Sequence, residues 1–292
     1  MNAVIKEFTP EEQLDRRNWI GGSDAAAAIG LNKYQSQFDL WQVKLGLAPE
    51  FLGNETTKWG RLHEPAVRQE VAERTGKVIR LPTETIRHPV WKFAACHPDG
   101  VMDDNYLYEG KTARYPDGFG EEGTDIVPQH YLVQVQHNMG VLGLPAARLG
   151  VLIGGSELRI YVIEADSEMQ GLIFEGEERF WHHVMNREPP PPDLARMDAL
   201  SVLRRMYPGT NGEIIKADAR AVELRASFDA QSLLEKTAEA NKNAAKAGLL
   251  ALMGEATFLE FPDGKSLRRA IVKRKAYEVR ATEFLDARYL NS

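Results

Sequence analysis

The sequence predicts an α/β protein with a mixed central β-sheet flanked by helices, followed by a small appendage of one helix and one hairpin. Helical periodicity dominates up to Gly76, short strand-like runs broken by turn residues take over from Lys77, and helix and strand patterns then alternate as far as Pro189–Pro192. The 292 residues are 43% hydrophobic and 27% charged, an ordinary globular composition that argues against disorder and suits one large domain with an extension.

The opening stretch MNAVIKEFTPEEQ carries acids and lacks a signal peptide's apolar run. No run of about 18 apolar residues occurs anywhere, so a cytoplasmic protein with no membrane partner is expected. In EEQLDRRNWIGGSDAAAAIGL, two arginines and a Gly-Gly-Ser-Asp turn precede an alanine-rich stretch, which predicts a helix N-capped by Ser23 or Asp24. FDLWQVKLGL reads as a helix ending near Gly46. In TTKWGRLHEPAVRQEVAERTG, Leu62, Ala66, Val67, Glu70 and Val71 recur at helical spacing before a stop at Gly76, and Glu64 is expected in or just before the first turn. Trp41, Trp59 and Trp91 are expected in the core.

From Lys77, the runs VIRLPTETIRHP, WKFAACHPDGVMDD and YLYEGKTARY read as a meander of strands separated by Pro-Gly and Asp-Asp turn chemistry. Residues 115–127, glycine-rich and acidic, read as a mobile loop. PQHYLVQVQHNMGVLGL predicts a helix lying on the sheet through Tyr131, Val135, Asn138, Met139 and Leu142, with Pro128 in its first turn. AARLGVLIGGSELRIYVIEAD reads as a hairpin with a Gly-Gly turn. A helical run to about Val184 precedes the prolines, which exclude a helix or central strand there. The domain boundary is placed at that point, giving units 1–192 and 193–292. In the second, residues 217–253 read as one long helix and TFLEFPDGKSLRRAIVKRK as a hairpin turning at Asp263 and Gly264.

A net charge of −6 gives no overall attraction to nucleic acid and argues against a general polyanion-coating protein, so any DNA contact must come from local basic surface. Lys265 to Arg280, with seven Lys/Arg against one acid, is such a patch. It also reads as the solvated face of a hairpin, and the long helix before it suits a partner or neighbouring subunit. Cys96 is the only cysteine, which excludes intramolecular disulfides and thiolate-rich zinc or iron–sulfur sites. Cys96-His97 cannot build a zinc site alone, and His182-His183 beside Trp181 read as packing or surface residues.

The chemistry lies in HPDGVMDDNYLYEGKTA, where Asp99 is followed after nine intervening residues by Glu109 and then by Lys111. In a strand, residues two apart face the same side. Glu109 and Lys111 therefore project together, Gly110 points away and offers its carbonyl at the rim, and a turn at Asp103–Asn105 folds Asp99 back alongside. Two carboxylates and a backbone carbonyl make a hard oxygen site for Mg²⁺ or Mn²⁺ with open positions for water and phosphate. Lys111 would orient or deprotonate an attacking water and offset charge on the phosphorane. A polar hairpin with a surface Glu–Lys pair uses the same residue types. Glu64 could bring a third carboxylate to the metal, directly or through water, or serve as favourable helix N-terminal charge.

The ordered set R-x6-S-D at Arg16 to Asp24, G-x3-E-P at Gly60 to Pro65, P-D-G at 98–100, E-x-K at 109–111 and Y-x2-Q-x-Q at Tyr131 to Gln136 resembles the YqaJ-like viral recombinase family and, more distantly, lambda exonuclease, over about residues 10–185. The resemblance places the chain among the PD-(D/E)XK nucleases and implies a restriction-endonuclease-like core. It further implies Glu64, Asp99 and Glu109 as the acidic metal shell, Lys111 as the catalytic lysine, and Gln134 with Tyr131 as the helix motif beside the active site. Arg16 and Ser23 would hold the 5′-terminal phosphate, a role that a guanidinium fork and a hydroxyl suit. By themselves, Arg16 also reads as a solvated charge and Ser23 as a cap. Gly110 departs from the family pattern, where an apolar β-former is usual, and a local distortion of the strand is expected.

The resemblance implies 5′-to-3′ digestion of one strand of linear double-strand DNA, a 3′ overhang for a single-strand annealing protein in phage-type recombination, and a ring-shaped homotrimer. The same metal chemistry without a 5′-phosphate anchor would serve a PD-(D/E)XK endonuclease. The same fold without turnover would serve a DNA-binding or assembly factor.

Overall fold

The computed structural model describes residues 15–49 and 53–271. The polar opening stretch and most of the basic segment from Lys265 to Arg280 lie outside them. Two compact units divide at Tyr207 and Pro208.

In the first unit, α1 spans Gly22–Ala28, α2 Gln37–Lys44 and α3 Glu55–Thr75. Gly21, rather than Ser23 or Asp24, is the N-cap of α1. It adopts extended backbone, and the Asp24 carboxylate reaches back to accept its N–H at 3.3 Å, so both expected caps fall inside the first turn. Ala25 to Ala28 are all buried, because only methyl-sized side chains let this short helix sit close beneath its neighbours. Ser36 caps α2 by accepting the Asp39 N–H. Asn54 caps α3 in the same way through Thr57, and Gly76 closes α3 in the left-handed conformation at φ 64°. With its start fixed at Asn54, α3 carries Glu64 in its interior, not in its first turn. Trp59, on the same helix, is 53% exposed, contrary to its expected core position, while Trp41 is buried.

The strands are β1 (Ile79–Arg80), β2 (Ile86–Arg87), β3 (Ala95–Cys96), β4 (Gly100–Met102), β5 (Tyr106–Ala113), β6 (Ala146–Ile153) and β7 (Glu157–Glu164). Five form a mixed sheet in the order β1-β4-β5-β6-β7, while β2 and β3 pair separately. Helix α4 (Gln129–Leu142) carries the chain from β5 to β6, which makes that pair parallel where the others are antiparallel. The two-residue period sorts the strands' side chains. Leu107, Leu149, Val151, Tyr161 and Ile163 pack with Val135 and Met139 of α4, and Tyr108, Leu158 and Ile160 pack with Val67 and Val71 of α3. The result is helix, sheet, helix, each fully buried side chain of this size contributing roughly 1.5–3 kcal/mol.

Gly110 causes no distortion: β5 pairs with β6 without interruption through Gly110 and Gly150, which stand side by side. A Cβ on Gly110 would come 2.7 Å from the Tyr108 hydroxyl, and one on Gly150 would come 2.6 Å from Val71 Cγ2. The paired glycines thus make the hollow into which α3 settles.

Beyond α4 lie α5 (Ser167–Asn186) and α6 (Ala199–Met206). Val202 of α6 is buried in one cluster with Phe38 and Trp41 of α2 and Phe180 of α5. This packing carries the first unit through Tyr207, past the expected boundary at residue 192, so Pro189–Pro192 bridge elements of one core. The segment 115–127 is pinned to the sheet edge, not free as expected. Gly123 donates to the Ile160 carbonyl at 2.9 Å, Val162 to the Thr124 carbonyl at 3.2 Å, and Phe119 packs between the rings of Tyr131 and Tyr161. The second unit contains α7 (Ala219–Met253) and a hairpin of β8 (Phe258–Glu260) and β9 (Ser266–Arg268), with Gly264 at φ 83° in its turn. Among the described residues, no helix is long and apolar enough to cross a membrane.

Candidate active site

The half-buried second half of β5 is where the sequence motifs meet. The pleat turns Glu109 and Lys111 to the α4 side, and the Lys111 ammonium donates to Glu109 Oε1 at 2.6 Å. The antiparallel pairing of β4 with β5 brings Asp99 back beside them, where its carboxylate accepts the Gly110 N–H at 3.0 Å. From α4, Gln134 also donates to Glu109 Oε1, and Asn138, one turn further on, donates to Oε2 at 3.3 Å. Tyr131 places its ring 5.7 Å beneath the Lys111 ammonium. Across the sheet rim, α3 presents Glu64, paired with Arg68 at 3.3 Å.

Glu109 is 2% exposed. Burial, reinforced by the negative charge of Asp99, pushes its carboxyl up to about 7 against the pull of Lys111. Glu64 is likewise raised, first by burial and then by Asp99. Burial works against the Lys111 ammonium, but Glu109 and Asp99 outweigh it and raise its pKa above the ordinary lysine value. In this conformation Lys111 is a positive charge and hydrogen-bond donor beside Glu109. Carboxylates gathered beside a backbone carbonyl, with the ionisation of Glu109 and Glu64 disfavoured by Asp99, are the hard-oxygen donor chemistry that suits a divalent cation. In the described conformation Lys111 supplies the compensating charge. Among the described residues no group of three His, Cys, Asp or Glu is gathered to hold a metal, and Glu64 stays with Arg68.

Arg16 and Ser23 are brought together, the guanidinium donating to the Ser23 hydroxyl at 3.1 Å. The buried Lys44, which sequence reasoning missed, holds their segment by donating to the carbonyls of Arg16 and Trp19 and to Asp24 at 2.8, 2.6 and 2.8 Å. Burial pushes the Asp24 carboxyl up, but Lys44 and Arg16 more than offset it and hold it below the usual range. This loop is tied to the candidate site at two points. Ile20 bridges to Ala94, upstream of Asp99, and Gly22 lies so close to Asn138 that a Cβ there would collide with its side-chain oxygen.

Asn138 is the main omission from the sequence reading, which counted it among the packing residues of its helix. Its spacing from Tyr131 and Gln134, seven and four residues, was the available clue that it shares their face. The second glutamine of that motif has a structural role: Gln136 donates to the Glu164 carbonyl at 2.7 Å and accepts the Asp166 N–H at 3.0 Å, joining β7 to α5. A second buried pair, also missed, links α4 to α5. His137 and Glu177 are both fully buried, with Nδ1 and Oε1 2.7 Å apart, and His137 Nε2 lies 3.0 Å from the Ala95 carbonyl. Cys96 is buried, and its thiol is pushed up to about 12 by burial and by Glu109.

Residues 13–145 match the YqaJ-like viral recombinase domain. The YqaJ protein of Bacillus subtilis (strain 168) is 33% identical over 231 residues, which cover 77% of this chain and 70% of the relative. Among solved structures, the alkaline exonuclease of Laribacter hongkongensis is 18% identical, covers 67% of this chain and 97% of its own, and has a TM-score of 0.49. A phage-related exonuclease from Haemophilus somnus 129PT is 11% identical, covers 58% of this chain and 96% of its own, and has a TM-score of 0.45.

Proposed function

This chain belongs to the YqaJ-like viral recombinase domain family, and from that premise we propose that it is a Mg²⁺-dependent 5′-to-3′ exonuclease of linear double-strand DNA. The observation that carries the reading is the convergence of Asp99, Glu109, Lys111 and Gln134 where β5 passes from buried to half-buried. Asp99, Glu109 and the Gly110 carbonyl would hold the cation, with Glu64 reaching it through water; Mn²⁺ would substitute. When bound, the cation supplies a Lewis acid for the phosphate and a more acidic water.

The chain's own residues do the rest. Lys111 orients the attacking water or donates to a phosphate oxygen and offsets charge as the P–O bond to water forms and the P–O3′ bond breaks, the water's proton passing to solvent and O3′ taking one up from solvent. Gln134 and Asn138 fix the Glu109 carboxylate from α4, so its orientation is set before substrate arrives. Arg16 and Ser23 take the 5′-terminal phosphate, a charge-assisted contact that selects an end over an internal site. The product is a 3′ overhang suited to a single-strand annealing protein. Assembly as a homotrimeric ring belongs to the same proposal: a chain of net charge −6 then needs basic residues only where they line the channel.

The test is digestion, with Mg²⁺, of linear duplex bearing a 5′-phosphate, linear duplex bearing a 5′-hydroxyl, and closed circular duplex. The 5′-phosphorylated end should be degraded fastest and the circle spared, and Arg16→Ala should erase the preference between the two ends. Equal cutting of the circle would make the protein an endonuclease, and no cleavage of any substrate would end the nuclease reading.

A further inference from the structure

Tyr34, in the loop between α1 and α2, is 74% exposed. The His130 ring stands edge-to-face with it, centroids 6.0 Å apart and planes at 87°, and lies 4.1 Å from the ring of Tyr131. Tyr131 in turn lies beneath the Lys111 ammonium. A line of rings thus runs from the catalytic lysine out to solvent. At its outer end Lys33 places its ammonium 4.9 Å from the Tyr34 centroid. A tyrosine core residue would not be this exposed, and a solvated tyrosine needs no such ring contacts behind it.

We infer that Tyr34, backed by His130 and flanked by Lys33, is a stacking seat for an unpaired nucleobase of the DNA strand that enters the active site. The inference rests on the nuclease reading and adds how the strand is received beyond the scissile phosphate. Every base has a π face, so an aromatic seat receives a strand without regard to sequence, as a processing enzyme needs. Lys33 already sits over the ring and would pass to a flanking phosphate as a base takes its place. His130 suits an apolar backing, because burial and the charges of Lys33 and Lys111 hold its imidazole below the ordinary histidine range, in the neutral form.

The full-length protein tests this with a 5′-phosphorylated duplex carrying fluorescent 2-aminopurine at the terminal positions of the digested strand. Binding without divalent cation should quench the probe by stacking. Tyr34→Ala should abolish the quench and raise KM for linear duplex about ten-fold, with kcat within about two-fold of the parent. Tyr34→Trp should preserve both properties, while Tyr34→Leu should behave as Tyr34→Ala. A Tyr34→Ala protein with parental quench and KM overturns the inference. So does a Tyr34→Leu protein that restores both, since the seat is then a plain apolar contact of the kind a protein partner uses. A parent protein that quenches through Tyr34 but cleaves nothing keeps the stacking seat and overturns the nuclease reading instead.

Discussion

Glu109 and Glu177 are both buried carboxylates that take partners from the same helix, α4, yet their surroundings differ in kind. Glu109 receives Lys111, Gln134 and Asn138, more donors than one carboxylate needs to be neutralised, and has the like charge of Asp99 nearby. Its pocket opens to solvent past Lys111, whose side chain is 20% exposed. Among the described residues Glu177 has only His137 and its second oxygen has no hydrogen-bond partner, and both residues are sealed at 0% exposure. The Ala95 carbonyl can only accept, so His137 Nε2 must donate to it. The single proton between Nδ1 and Oε1 then leaves this pair neutral whichever atom holds it. Burial alone therefore does not mark a reactive carboxylate. Surplus donors, an adjacent like charge and a way in from solvent set Glu109 apart as the candidate.

The sharpest way to break this comparison is to neutralise each carboxylate in turn. Glu109→Gln should lower the rate of linear-duplex digestion by roughly 10²–10⁴-fold while leaving the urea midpoint unchanged or higher, because it removes a desolvated charge held near Asp99. Retained digestion would show that Glu109 has no part in the chemistry. Glu177→Ala should do the opposite. It strands His137 in the core and should cost about 3–5 kcal/mol in denaturant unfolding, with the rate per folded molecule little changed. A loss below about 1 kcal/mol would mean that the pair contributes little to the fold.

The smallest expected effect is in pH dependence. Because the Glu109 carboxyl is pushed up from 4.5 to about 7, the folded protein binds more protons than the unfolded chain between those values. In cation-free buffer its contribution is therefore fully present below about pH 4.5, declines as pH rises through that window, and is level above about 7. The His137–Glu177 pair is common to the parent and Glu109→Gln and cancels between them. The measurement is thus the difference in melting temperature between parent and Glu109→Gln across the window. Parallel curves would contradict the raised carboxyl.

Much of the site was legible in the sequence, and the omissions share a cause. Glu109 and Lys111 lie on one strand, where the two-residue period puts them on one side whatever surrounds them. Tyr131 and Gln134 lie on one helix at a spacing that keeps them together. Asn138 was read as packing because position in a helix does not reveal which buried neighbour it meets. Trp59 was placed in the core by its residue type, but it falls on the solvent face of α3.

By itself, then, the sequence determined the order of the elements, the sidedness of β5, the turns at Gly76 and Gly264, and the residue types from which a phosphate-cleaving site could be made. Tertiary structure decided where those elements meet. The hollow at Gly110 and Gly150 seats α3 and so brings Glu64 to the sheet rim, the contact of Gly22 with Asn138 joins the Arg16 loop to Glu109, and Val202 carries the first unit to Tyr207. Local periodicity fixes which residues share a face, because it depends only on backbone geometry. What that face buries depends on partners far along the chain, as with His137 and Glu177, 40 residues apart and 2.7 Å from contact to contact.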